Sequence, residues 1–327
     1  MSRMLLVTGG AGFIGSHVVD RLLERGDQVV CEDDFNDFYD PRIKRLNVRE
    51  HLKSSNYRLV EADIRNTDAM AAVFAEHRID QVVHLAARAG VRPSLADPLL
   101  YEDVNVRATL VLLELMKKHS VAQLVFASSS SVYGAQTKVP FSEEDRIDRT
   151  VSPYAATKYA AELMCHTYHH LYGMPITCLR FFTAYGPRQR PEMAIHKFTR
   201  LIYDGTAIPF FGDGSSARDY TYIDDIVQGV IAAIDRPFGF EVFNLGESST
   251  VTLSELVTQL ERATGRTASR DNLPAQAGDV DVTFADISKA RRMLNYVPTT
   301  PITKGLASFI EWFESVQTLR GTDPRNA

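Results

Sequence analysis

Tyr154 and Lys158 stand four residues apart in the segment SPYAATKYAAE. On a helix, side chains at i and i+4 share a face, so this spacing sets an ammonium beside a phenol. The positive charge favours phenolate and draws the phenol down from its usual value of about 10. A phenol tuned in this way exchanges a proton with an alcohol that is becoming a ketone. A Tyr-x-x-x-Lys spacing arises often by chance. Here it follows the serine run ASSSSVYG, which ends an apolar segment and offers a hydroxyl to the same oxygen. Four serines in succession leave the register open, with Ser129 flanked by Ser128 and Ser130.

Converting an alcohol to a ketone also requires somewhere for a hydride to go. The N-terminal segment VTGGAGFIG spaces Gly9, Gly12 and Gly15 as GxxGxxG, directly after an apolar run and at the start of a helical pattern with Phe13 and Ile14 in its first turn. Glycine allows a sharp turn and lets a pyrophosphate approach the helix N-terminus, whose free N–H groups and dipole favour anions. The next apolar run ends in CEDD, and Asp33 lies 18 residues beyond Gly15. A carboxylate there can hold both ribose hydroxyls of NAD and repels a 2′-phosphate, with Glu32 and Asp34 reinforcing the repulsion. Asp63, with Ile64 beside it, suits the adenine end, and Leu85, Ala86 and Ala87 offer small residues against which a dinucleotide can lie.

These groups need a frame. Short apolar runs alternate with helical patterns through the first half: MLLV, a helix from about Phe13 to Arg25, QVVC, a polar excursion, YRLVEAD, a helix near Asp68 to Glu76, QVVHLAA, a helix near Tyr101 to Lys118, QLVFASS, a helix from about Pro153 to Tyr172, and ITCLRFF. Strands without strict alternation are buried on both faces. Strand–helix–strand repetition at this spacing predicts parallel units and an α/β fold with a doubly wound (Rossmann) sheet. Regularity fails after Tyr185, where Pro187, Pro191, Pro209, Gly212 and Gly214 break the chain into loops. The expectation is an NAD-binding domain over residues 1–185, rejoined by segments at about 222–247 and 280–296. The rest of 186–327 forms a smaller, discontinuous C-terminal α/β lobe that binds substrate. Ligands of such sheets lie beyond the carboxyl ends of the strands.

A net charge of −5 argues against a nucleic-acid partner held by a basic surface. Three widely spaced cysteines, Cys31, Cys165 and Cys178, contain no CxxC pair and suggest a reducing, cytoplasmic compartment. No apolar run approaches the length of a membrane span. His166, His169 and His170 cluster on the Tyr154 helix without an evident third ligand, so no metal is expected.

The whole pattern, from Met4 to about Trp312, resembles the extended short-chain dehydrogenases/reductases of the nucleotide-sugar epimerase group. The resemblance implies Ser129 as the catalytic serine, Tyr154 as the base and Lys158 as its partner on the nicotinamide ribose. It implies cofactor contacts at Asn105 and Ser128 and at Ala184 and Tyr185. In ARDYTYIDD it places Arg218 on the substrate diphosphate; Asp279 falls on the uridine ribose side and Phe210 and Phe211 near the uracil. The segment FFTAYGPRQRPEMA is most similar to the UDP-glucuronate 4-epimerases, with Arg190 facing a sugar carboxylate and Thr183 as a neighbouring donor. A guanidinium can grip a carboxylate with two parallel hydrogen bonds. Arg88 and Asp34 depart from that group, where Gln and Asn are usual.

The reading implied is an NAD-dependent isomerase interconverting UDP-glucuronate and UDP-galacturonate through a 4-keto sugar, as a homodimer. Alternatives are a UDP-glucuronate decarboxylase, a UDP-glucose/UDP-galactose 4-epimerase, and a non-catalytic nucleotide-sugar or NAD sensor.

Overall fold

The computed structural model describes residues 2–274 and 280–321, the segment 317–321 as backbone alone. Six strands of the first half form in the expected places: β1 Met4–Thr8, β2 Gln28–Asp33, β3 Tyr57–Glu61, β4 Gln81–His84, β5 Gln123–Ser129 and β6 Ile176–Phe181. With Phe240–Leu245 they make one seven-stranded sheet, ordered Phe240–Leu245, β6, β5, β4, β1, β2, β3. Every pairing in it is parallel. All residues of β5 and β6 are buried, as expected of strands covered by helices on both faces. The strand order reverses between β1 and β4, and the crevice beyond their carboxyl ends is where such a sheet receives its ligand. The expected doubly wound fold is therefore the observed one.

Helix α1 spans Phe13–Glu24 and packs its Val18, Val19 and Leu22 into the core. The polar excursion after β2 contains a helix that the periodicity did not reveal, α2 at Pro41–Val48. Asp40 caps it, its side chain accepting from the Arg42 amide at 2.9 Å, and Pro41 occupies the first position, where its missing N–H costs nothing. The single helix expected near Tyr101–Lys118 is instead a helix at Pro98–Glu102, a widened π-type turn at Asp103–Arg107 and a helix at Ala108–His119. Asn105 lies within the widened turn. The Tyr154 helix runs from Pro153 to Tyr172, with Ser152 capping the Ala155 amide at 3.1 Å and Gly173 ending it in the left-handed region.

Beyond Tyr185 the chain makes helices at Ala194–Tyr203, Ile223–Asp235, Leu253–Thr264 and Ile302–Gly321, joined by short strand pairs. Ile208–Phe211 pairs with Arg270–Leu273, Ala217–Arg218 with Val251–Thr252, and Thr183–Tyr185 with Tyr220–Tyr222. Asp219 ties these segments together. Its buried carboxylate accepts from the amides of Glu247 at 2.7 Å, Ser248 at 3.1 Å and Ala285 at 3.1 Å. The Ile223–Asp235 helix returns to pack on α1, and Phe240–Leu245 re-enters the large sheet beside β6. Among the described residues no helix is long and apolar enough to cross a membrane.

Candidate active site

The turn after β1 is built so that only glycine fits at two of its positions. Gly9 has φ +67°, and a Cβ on it would lie 2.7 Å from the Ala86 nitrogen. A Cβ on Gly15 would sit 2.2 Å from the Gly9 carbonyl oxygen. The turn delivers the chain into α1 with no side-chain cap and no acidic residue in the first turn. The N-terminus of α1 therefore presents free N–H groups to a cavity of about 390 Å³ lined by Gly9, Gly12, Phe13, Ile14 and Gly15. This is a seat for an anion of diphosphate type.

The acidic end of β2 differs from its expected form. Asp33 accepts from the Ala11 amide at 3.2 Å and the Phe35 amide at 2.9 Å, and it pairs with Lys44 Nζ at 2.8 Å. Lys44 comes from α2, the helix hidden in the polar excursion. Glu32 is buried at the same strand end, and among the described residues one of its carboxyl oxygens has no hydrogen-bond partner. Burial, with Asp33 and Asp34 adding to it, pushes the Glu32 carboxyl well above the usual range. Lys44 also lies 3.6 Å from Asp34. Asp63 lines the same cavity and is gripped by Arg65, whose hydrogen bond holds its carboxyl below the ordinary value.

Ser128, Ser129, Tyr154 and Lys158 line the other end, together with Thr183, Ala184 and Arg190. Ser128 and Ser129 differ in environment. Ser128 turns inward and donates to Glu162, whereas Ser129 accepts from the Ser131 amide at 3.1 Å and hydrogen-bonds toward the Tyr154 phenol. Lys158 does not reach for that phenol. Its Nζ donates to the Ala127 carbonyl at 2.8 Å, and burial pushes it down to about 8. Burial also raises the Tyr154 phenol above its usual value, opposed by Ser129 and by the charge of Arg190. The cation that favours the phenolate here is Arg190, a residue the i/i+4 spacing does not point to.

Of the three arginines in 180–190, one faces the cavity. Arg180 is buried in β6, Arg188 pairs with Asp20 of α1 at 2.6 Å, and Arg190 lines the site with its Nε 3.2 Å from Glu192. The loop holding Arg190 is fixed by His196, whose ring hydrogen-bonds the Gln189 carbonyl at 2.6 Å.

Several expected contacts lie away from this cavity. Asn105 is buried and clamps the backbone of Arg88, accepting from its amide at 2.8 Å and donating to its carbonyl at 3.0 Å. Tyr185 is buried among Tyr220 and Tyr222. Phe210 packs in the smaller lobe under Arg270, and Phe211 lies 5.2 Å from the Arg92 guanidinium. Arg218 folds back onto the Ala217 carbonyl at 2.9 Å. Asp279 lies outside the described residues. Residues that the spacing arguments missed are Lys44, Phe38 and Tyr39, all in the segment after β2 and all on the cavity wall. Among the described residues no group of three or more His, Cys, Asp or Glu side chains is arranged to hold a metal ion.

A doubly wound sheet, a glycine turn opening a helix and a tyrosine–lysine pair one turn apart define the extended short-chain dehydrogenase/reductase class. Residues 6–309 match the family described as GDP-mannose 4,6 dehydratase, and the chain belongs to it. It is 47% identical to a UDP-glucuronate 4-epimerase of Thermodesulfobacterium geofontis over 94% of this chain and 95% of that one. Among solved structures, it resembles the UDP-glucuronic acid 4-epimerase of Bacillus cereus in complex with UDP-glucuronic acid and NAD, with a TM-score of 0.90 and 36% identity over 96% of this chain and 99% of that one. It also resembles a UDP-glucose 4-epimerase of Thermotoga maritima with UDP-glucose, with a TM-score of 0.89 and 34% identity over 96% and 99% of the two chains.

Proposed function

We propose that the protein is an NAD-dependent isomerase that interconverts UDP-glucuronate and UDP-galacturonate by inverting C4 of the sugar. The observation that carries this reading is Arg190, a guanidinium on the same cavity wall as Ser129 and Tyr154. A hexuronate places a carboxylate one carbon beyond the ring, and a neutral hexose offers no such partner to Arg190.

The cleft fits NAD: the glycine turn leaves a cradle that a Cβ would fill, α1 presents an uncapped N-terminus, and the Asp33 carboxylate stands at the end of β2. NAD, when bound, supplies the hydride acceptor and then the donor, so the chain need only manage protons and geometry. Tyr154 takes the proton from the sugar O4 and returns it after the sugar has turned. Ser129 hydrogen-bonds the same oxygen and polarises the ketone. Lys158, held by the Ala127 carbonyl, supports the cofactor's ribose. Arg190 and Thr183 hold the sugar carboxylate. Arg218 with Phe210, Phe211 and Asp279 takes the uridine diphosphate in the smaller lobe; for Arg218 this requires leaving the Ala217 carbonyl.

Exposed Leu163, Leu171 and Tyr172 on the Tyr154 helix, with Leu95 and Leu99 nearby in sequence to the Asn105 turn, support a homodimer through these helices. The three cysteines are unpaired and buried, which suits a reducing cytoplasm. The decisive experiment is incubation of the protein with UDP-glucuronate and separation of the products. UDP-galacturonate with no net consumption of NAD is expected. A 4-keto-pentose nucleotide as the main product would assign a decarboxylase, and no turnover with tight binding would assign a sensor.

A further inference from the structure

Arg88 follows β4, and its side chain crosses to the opposite wall of the cleft. Its Nη1 donates to Asn36 Oδ1 at 3.3 Å, and its guanidinium lies 5.6 Å from the centre of the Phe38 ring. Asn36 and Phe38 belong to the loop after β2. In the sheet, β1 lies between β4 and β2, so a link between residues following β4 and β2 passes across the end of β1. That end carries the glycine turn. The Arg88 side chain therefore spans the cleft above the diphosphate seat.

Both anchors of this span are rigid. On one side Asn105 binds the Arg88 amide and carbonyl, and Asn105 is tied in turn to Thr157 of the Tyr154 helix at 3.1 Å. On the other, the loop is a chain of side-chain-to-backbone turns: Asp33 to the Phe35 amide, Asp34 to the Asn36 amide and Asn36 to the Phe38 amide. The hydrogen-bond partner of the Arg88 guanidinium is a neutral amide oxygen; Asp63 feels its charge, but among the described residues no carboxylate lies within ion-pair distance of it. A guanidinium lining a cavity without a directly paired anion is poised to take one from a ligand.

We propose that Arg88, with Asn36 and Phe38, is a clasp that closes over bound NAD and pairs with its diphosphate, keeping the cofactor in place through the catalytic cycle. The reaction requires such retention. Hydride leaves the sugar and must return to it, and a cofactor lost between the two steps would strand the keto sugar.

The test uses the full chain. NAD bound per chain is measured after purification, and its release is followed by exchange against isotope-labelled NAD. Arg88→Gln should release NAD about tenfold faster or more, the loss expected for a charge-assisted hydrogen bond. Asn36→Ala keeps the charge but removes the far anchor and should speed release by about two- to tenfold, as for a neutral hydrogen bond. Arg88→Lys, with its shorter reach, should fall between the parent and Arg88→Gln. Exchange within about twofold of the parent in both Arg88→Gln and Asn36→Ala, below the effect of one such bond, would overturn the clasp. So would an Arg88→Gln protein that keeps NAD but binds UDP-glucuronate more weakly by calorimetry, because Arg88 would then serve the substrate. The inference rests on the cleft holding NAD. A parent chain that binds no NAD would remove premise and proposal together, whereas unchanged exchange of bound NAD removes the clasp alone.

Discussion

Glu162 and Arg180 face each other behind Ser128, with Arg180 Nε 3.0 Å from one carboxylate oxygen and Nη2 2.7 Å from the other. Ser128 donates to the same carboxylate, and Arg180 Nη1 donates to the Tyr133 hydroxyl at 3.0 Å, which donates to Asn244 at 2.7 Å. Glu162 lies one turn beyond Lys158, so the network ties the catalytic helix to β5, β6 and the Phe240–Leu245 strand. Removing one partner leaves a buried charge unpaired. Glu162→Leu should cost about 3–5 kcal/mol of stability, and the double variant Glu162→Leu/Arg180→Met should recover much of that loss. Urea unfolding of the set provides the comparison. A double variant no more stable than Glu162→Leu would show that the pair is not the source of the loss.

Tyr154→Phe removes the proton carrier but leaves the cavity's shape. Turnover on UDP-glucuronate should fall by about 10²- to 10⁴-fold, while binding of UDP-glucuronate measured by calorimetry changes little. Turnover near that of the parent chain would reject Tyr154 as the base.

Arg190→Ala should separate charged from neutral sugars. A charge-assisted bond contributes about 1.5–3 kcal/mol, or roughly 10- to 150-fold in kcat/KM, on UDP-glucuronate. Little change is expected on UDP-glucose if it turns over. Glu192, 3.2 Å from Arg190, competes with the substrate carboxylate, so Glu192→Gln should lower KM for UDP-glucuronate. The 4-keto hexuronate is a β-keto acid, and its C5–C6 bond breaks readily when perpendicular to the carbonyl plane. Loss of the Arg190 grip should therefore raise the fraction of 4-keto-pentose product. Equal losses on both sugars would remove the carboxylate role.

His84 sets an acid limit on stability. The Ala86 amide donates to Thr8 Oγ1, the Thr8 hydroxyl lies 2.7 Å from His84 Nδ1, His84 Nε2 lies 3.0 Å from Thr109 Oγ1, and the Thr109 hydroxyl donates to the Asn105 carbonyl. The Thr109 hydroxyl is already given to the Asn105 carbonyl, so Nε2 donates to Thr109, and a neutral ring then accepts at Nδ1 from Thr8. Burial, then the Lys158 charge, pushes it from 6.5 down to about 3. Between those values the unfolded chain binds more protons than the folded one. Stability present above pH 6.5 is lost as pH falls toward 3, by up to about 1.4 kcal/mol per pH unit. His17, pushed by burial to about 4, acts in the same direction. Melting temperatures from pH 7.5 to 4.5 should fall less steeply in His84→Gln than in the parent; parallel curves would exclude His84 as a source.

The glycine turn, the Tyr154 helix and the strands β1 to β6 were legible because each is a local pattern of spacing and burial. What was not legible depends on contacts between distant residues. Glu32 and Asp33 are adjacent acids in sequence, but they point to opposite sides of β2: one is buried without an ion-pair partner among the described residues, the other paired with Lys44. Nothing local marks Lys44 as that partner, because it lies on a helix hidden in a polar segment. Arg180 and Arg190 look alike in a basic stretch. The first is held inside a strand by Glu162, and the second is released into a loop, a difference that only the sheet decides. Likewise, Lys158 has the spacing to serve Tyr154 but turns to a carbonyl of β5.

The return of Phe240–Leu245 to the large sheet has a consequence for synthesis. β6 ends at Phe181, and its outer edge is covered only when the chain reaches Leu245. Until then a nascent chain on the ribosome carries a fully buried, mostly apolar strand with its backbone groups open on one side. Such an edge is a template for pairing with another unfinished copy. A protein cut or stalled between these two strands should therefore aggregate, and its yield in cells should depend on chaperones that shield the edge until the last strand arrives.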